Sequence, residues 1–233
     1  MSSQNTQQIF ATSVYPVHVD SLLAHRNPVL AVLVGRRGPV TLVGDGLEVS
    51  GDVLVVQPGI EHKVLCPHEG FNVIYLDGVS WIGMHPLADQ WPEVLNDVAC
   101  AAANSSNDAL LEMRERLAHG APRCPPRLSP LIADMVADPM VRISQTQLAA
   151  RLGMERTQAL RCFKAATGQT FRAFKQWVGL QHAARQLMAG EMVRGAALDA
   201  GFSDTAHLTR TFRHSFGLTP SQALAGLARA RAS

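Results

Sequence analysis

A repeat in the C-terminal half most narrows what this chain can fold into. Ala149 and Gly153 stand four residues apart, and Ala197 and Gly201 restate the pair 48 residues later. Arg161-Cys162-Phe163-Lys164 returns as Arg210-Thr211-Phe212-Arg213, and Gly168 and Thr170 return as Gly217 and Thr219, now at an offset of 49. The extra residue falls between the glycine and the arginine of the second copy. Two copies of one supersecondary unit are expected. In each, the small alanine lets one helix cross close to the next. The glycine supplies a turn where φ can be positive, and Phe163 or Phe212 anchors the second helix. That unit is a helix-turn-helix. Its first copy opens on Ser144 with Gln147 three residues on, a capping box, and turns Leu148 and Leu152 inward.

Phe171–Ala189 joins the copies, with Thr170 as N-cap and Gly190 as stop. Phe171, Phe174, Trp177, Leu180 and Leu187 form its inward face. Nineteen residues make a helix of roughly 28 Å, close to the ~34 Å between successive major grooves on one side of B-DNA. Such a helix can hold two reading heads in adjacent grooves.

Charge supports that destination. Residues 1–125 carry 7 Lys/Arg and 13 Asp/Glu, a net of −6; residues 126–233 carry 14 and 6, a net of +8. A basic half joined to an acidic one fits a nucleic-acid-binding domain beside a domain with another task. Cys66, Cys100, Cys124 and Cys162 show no C-x-x-C spacing, so no disulfide framework is expected. The polar start MSSQNTQQ has no secretory pattern, and no apolar run reaches membrane-spanning length. A cytoplasmic protein is expected.

The N-terminal half reads as short strands: Val14–Val19, Val29–Val34, Val40–Val43, Val53–Gln57, His62–Cys66 and Phe71–Leu76, punctuated by Gly and Pro. This spacing predicts a small barrel or sandwich. Helical periodicity follows over Pro92–Ala103 and Asn107–His119, with Asn107 as N-cap. Their apolar stripes either build a dimer interface or pack on the barrel of the same chain. Residues 120–127, with three prolines, read as a linker.

The C-terminal pattern resembles the DNA-binding domain of AraC/XylS-type regulators over residues 129–222. Gly201-Phe202, a polar stretch, Leu208, Arg210, Phe212, Phe216-Gly217 and Thr219-Pro220 carry the likeness. It implies seven helices, with the recognition helices in Glu155–Thr167 and Asp204–Phe216. Thr157, Arg161, Thr205, His207 and Arg210 stand at base-contact positions, where arginine can grip guanine bidentately. Arg156, Lys164, Arg213 and His214 are phosphate partners. Other readings stand beside these: Arg161 and Arg210 pairing with carboxylates inside the domain, His207 in a surface or packing role, Thr157 and Thr205 starting their helices. The family pattern is departed from at Ala159 and Leu160, where a core leucine and a polar residue are usual. Met192 takes the place of a hydroxyl cap, and Gly195 sits inside a helix. Either helix 155–167 is rotated or Leu160 reaches a thymine methyl.

Gly51-Asp52-Val53, Pro58-Gly59 and His62 resemble the cupin-like sensor domains that accompany this module. The expected fold is therefore α+β in two domains: a cupin-like small β-barrel followed by helices, then an all-α double helix-turn-helix. The segments are 1–80 sensor, 81–119 dimerisation helices, 120–127 linker and 128–233 DNA-binding domain, with units at 144–168 and 192–217. No His-x-His of metal-binding cupins is present, so no cofactor and no enzymatic activity are expected. His62, Cys66 and His68 are the residual metal candidates. The resemblance implies an effector-responsive activator, with double-stranded DNA, RNA polymerase, a small-molecule effector and a second copy of the chain as partners. The alternatives are a cupin-like metal protein or enzyme with a vestigial DNA-binding tail, and a regulator whose N-domain only dimerises.

Overall fold

The computed structural model describes residues 12–67, 69–79, 87–88, 95–104, 106–117, 125–141 and 143–232. Two antiparallel sheets form the N-terminal part. One has the order β1 (Thr12–Val17), β8 (Phe71–Leu76), β3 (Leu30–Gly35), β6 (Val53–Val56), β9 (Leu87–Ala88). The other has the order β2 (Ser21–Arg26), β7 (Glu61–Leu65), β4 (Val40–Gly44), β5 (Leu47–Gly51). The six expected strands form, with ends moved by a few residues.

Three strands are additional, each with a physical reason for its silence in sequence. β2 carries a bulge between Leu22 and His25, which breaks the two-residue alternation. β5 is an edge strand with no buried residue. β9 is two residues long.

The five-stranded sheet is covered on both faces, so β3 reads as a continuous apolar run. Ala31, Leu33, Phe71, Val73 and Tyr75 face the second sheet and the C-terminal helices. Leu30, Val32, Ile74 and Leu76 face α1 (Asn96–Ala103) and α2 (Asn107–Leu117). Ala99, Ala102, Met113 and Leu117 of those helices complete that layer, so their stripes pack on the barrel of their own chain. Residues 92–94 and 118–119 of the expected helices lie outside the described residues. The N-cap of α2 is Ser106 rather than Asn107: its Oγ accepts from Ala109 N at 3.3 Å and its carbonyl from Leu110 N at 3.0 Å. Asn107 is already helical.

Seven helices follow among the described residues: α3 (Ser129–Ala137), α4 (Gln145–Leu152), α5 (Arg156–Thr167), α6 (Phe171–Met188), α7 (Val193–Asp199), α8 (Thr205–Phe216) and α9 (Pro220–Ala232). The Ser144–Gln147 capping box is formed on both sides, and Thr170 Oγ1 accepts from Ala173 N. Gly153 and Gly201 have φ of 64° and 79°, as turns between paired helices require.

The two modules are packed differently. α4 and α5 have their own core, in which Phe163 meets Phe171 and Phe174 edge to face. The core of α7 and α8, with Ala197, Phe202, Phe212 and Phe216, is continuous with Tyr15, Tyr75 and Trp177 of the sheet and α6.

Candidate nucleic-acid interface

Each recognition helix buries one side and exposes a basic one. In α5, Ala159, Phe163, Ala166 and Thr167 are buried, while Arg156, Thr157, Arg161 and Lys164 are exposed. In α8, Leu208, Thr211, Phe212, Ser215 and Phe216 are buried, while Thr205, Arg210, Arg213 and His214 are exposed. Ala159 is fully buried and Leu160 packs at the edge of the same core, so α5 keeps its orientation despite the unusual pair. The structure thus gathers four proposed DNA-contact residues on one face of each helix. Neither Arg161 nor Arg210 forms a salt bridge with a carboxylate among the described residues.

The remaining candidates have local partners. Thr157 Oγ1 lies 3.4 Å from Glu155 Oε1, within the cap of its own helix. His207 is half-buried, with Nδ1 3.2 Å from Ser203 Oγ and its ring edge-on to Phe202. His214 stands near the end of α8 that meets β2, where its charge is felt at His25.

Two residues that sequence reasoning left without a role fix the starts of these helices. Glu155 accepts from Thr157 N at 2.7 Å and Gln158 N at 3.2 Å; Asp204 accepts from His207 N at 2.6 Å. The His207 N–H holds the Asp204 carboxyl below the usual carboxylate range. The repeat contained the signal, since Glu155 and Asp204 are separated by its offset of 49.

The β domain grips the second module. Leu23 N donates to Gly217 O at 2.9 Å, and Asn27 Nδ2 to Ser215 O at 2.7 Å, both at the C-terminal end of α8. A side chain on Gly217 would stand 2.6 Å from His25 Nδ1 and from Leu23 O. On α6, Tyr15 Oη donates to Gln181 Oε1 at 2.7 Å and Trp177 Nε1 to Asp77 Oδ1 at 2.6 Å.

Among the described residues, the metal candidates His62 and Cys66 have separate partners. His62 pairs with His25 across β2 and β7, its Nδ1 3.0 Å from Ile60 O, and the two rings lie 4.2 Å apart. Cys66 is buried and donates to Gly70 O. His68 lies outside the described residues, and no group of three metal-ligating side chains occurs among those described. Nor is any described helix long and apolar enough to cross a membrane.

A family model described as a helix-turn-helix domain matches residues 148–226. The whole fold is similar to ToxT from Vibrio cholerae, at 13% identity over 94% of this chain and 98% of that one, TM-score 0.58. A second ToxT structure, bound to an unsaturated fatty acid, gives 11% over 92% and 94%, TM-score 0.52. A probable AraC family transcriptional regulator from Rhodopseudomonas palustris is 34% identical over 40% of this chain and 88% of its own, TM-score 0.36. The DNA-binding domain of AdpA, in complex with a target DNA, is 26% identical over 45% and 95%, TM-score 0.41. No curated protein matches the chain. The matched segment is a DNA-binding domain of the AraC type. The chain is a DNA-binding transcription regulator with a β-rich N-terminal part.

Proposed function

We propose that this regulator inserts α5 and α8 into adjacent major grooves on one side of its operator and answers to a small-molecule effector held by the β domain. The observation that carries the reading is the pair of exposed basic faces on α5 and α8, joined by the 18-residue α6. Arg161 and Arg210 read bases, with Thr157, Thr205 and His207 beside them. Arg156, Lys164, Arg213 and His214 hold phosphates and set the register. ToxT, which shares the fold, has been captured with a fatty acid, which supports a small-molecule effector here. The reading is of a regulator and not an enzyme, acting on DNA in the cytoplasm at the nucleoid. Activation through RNA polymerase and homodimerisation belong to it by family resemblance; Leu111 is the exposed apolar side chain that α2 leaves for a second copy. The segments 1–80, 81–119, 120–127 and 128–233 are its sensor, helical, linker and DNA-binding parts.

Sequencing genomic fragments retained by the purified full-length protein tests it. A motif of two blocks about one helical turn (~10.5 bp) apart is expected. Salt-sensitive retention without a motif would refute direct readout by the two helices.

A further inference from the structure

The second module is tied to the sheet, while the first keeps a core of its own. Leu23 and Asn27 hold the C-terminal end of α8; Tyr15 and Asp77 hold α6 through Gln181 and Trp177. The seating of α8 relative to α5 therefore follows the joint between sheet and α6. That joint is sparsely bonded, for Gln181 Nε2 is buried in it without a partner. The Asp77 side chain lies in the same joint, buried, on the 2.6 Å bond from Trp177 Nε1.

The titratable and charged groups that face Asp77 come from three elements. α2 brings Arg114, whose guanidinium is engaged by the Asp77 backbone carbonyl at 2.7 Å; α6 brings Arg185; β1 brings Tyr15. Burial holds the Tyr15 phenol up at about 12 and Arg114 down at about 10, so near pH 7 the first is neutral and the second charged. Burial also raises the Asp77 carboxyl to about 7. A carboxylic acid fits this dry joint on its indole bond. A carboxylate there is short of donors and of water, so ionisation favours a joint that has opened.

We propose, building on the regulator reading above, that Asp77 is a proton-operated latch on the second DNA-binding module. With its proton, the side chain holds α6 and the module behind it against the sheet. Without it, the joint opens and α8 is free to settle in its groove beside α5. DNA then selects the ionised form, and binding releases close to one proton. Affinity rises with pH through the range in which Asp77 ionises. Asp77→Asn keeps the acceptor and cannot ionise, so comparison with it removes the titration of every other group.

Hydrogen exchange of the full-length protein, read by mass spectrometry over residues 205–217, tests the latch without DNA. Parent and Asp77→Asn are compared at each pH, so the intrinsic pH dependence of exchange cancels. Between about pH 6 and pH 8 the parent is expected to lose about 10-fold in protection relative to Asp77→Asn. Trp177→Phe keeps a ring and donates nothing. It is expected to be poorly protected already at about pH 6, and it carries the test if Asp77→Asn does not fold. Equal protection in parent and Asp77→Asn at every pH overturns the proposal, as does a Trp177→Phe protein protected like the parent. Binding of a fragment recovered in the genomic selection is expected to tighten about 10-fold more in the parent than in Asp77→Asn over the same range. Parallel affinity curves also overturn the proposal. Failure of the regulator reading looks different: neither protein retains DNA at any pH, while protection of the parent still falls. That result removes the operator reading and supports the latch.

Discussion

Trp177 donates its indole N–H to the buried carboxyl of Asp77 at 2.6 Å, tying the helix between the two DNA-binding modules to the turn that ends β8. Arg114 of α2 donates twice to the backbone carbonyl of the same residue, at 2.7 Å each. One turn thus receives both the helical layer behind the sheet and the DNA-binding helices in front of it.

Burial pushes the Asp77 carboxyl up from 3.8 to about 7, against the pull of the Trp177 N–H and the charges of Arg114 and Arg185. An acid raised in the folded state binds more protons there than in the unfolded chain. Its contribution is complete below about pH 4 and is lost as pH climbs toward 7. Asp77→Asn keeps an acceptor for Trp177 and cannot ionise. Its melting temperature should match the parent near pH 4 and exceed it increasingly up to about pH 7, with a constant gap above. A parallel pair of pH–melting curves would contradict this.

His25 and His62 act with the opposite sign. Burial and then the His62 charge lower His25 to about 3, and burial lowers His62. Both rings stay neutral in the fold while the unfolded chain takes up protons below about pH 6.5. Stability from this pair is present above that pH and is lost as pH falls. His25→Gln should flatten the fall in urea midpoint between about pH 6.5 and pH 5; an unchanged slope would show that the ring titrates freely.

Two glycines in the second module should respond oppositely to alanine. Gly195 lies inside α7 with no atom within 4 Å of an added Cβ, so Gly195→Ala should stabilise by ~0.5–1 kcal/mol. Gly217 has φ of 73° and presses on His25 and Leu23, so Gly217→Ala should cost at least ~2 kcal/mol. Urea unfolding of the two variants reads both. Met192, which caps α7 with no side-chain hydrogen bond and is 78% exposed, belongs with Gly195: Met192→Ser should add about 1 kcal/mol.

On DNA, Arg161→Ala and Arg210→Ala should each relax base preference within one half of the operator, at ~1–3 kcal/mol. Arg156→Ala and Lys164→Ala should weaken all sequences alike and lower the salt slope by about one each. Binding titrations on matched and mismatched operators at several salt concentrations separate the two classes.

What sequence made legible was local. Ser144 with Gln147, Thr170 before α6 and the turn glycines are signals within one or two turns of chain, and each forms the cap or turn expected of it. β2 escaped because its bulge spoils the alternation by which strands are recognised. The joint escaped for another reason. Asn27 reaches Ser215 across 188 residues and Trp177 reaches Asp77 across 100, and isolated pairs at such separations leave no period to read. The exposed basic faces of α5 and α8 were legible, whereas the turning of His207 onto Phe202 depends on packing that sequence does not display.

The unequal cores of the two modules set an order of failure. The first module rests on Phe163, Phe171 and Phe174 and depends little on the strands; the second shares its aromatic centre with Tyr15 and Tyr75. Damage to the barrel, by mutation or heat, should therefore silence one half of the operator before the other. A crippled protein of this kind should still occupy its half-site, and so act as a dominant competitor rather than as a simple loss.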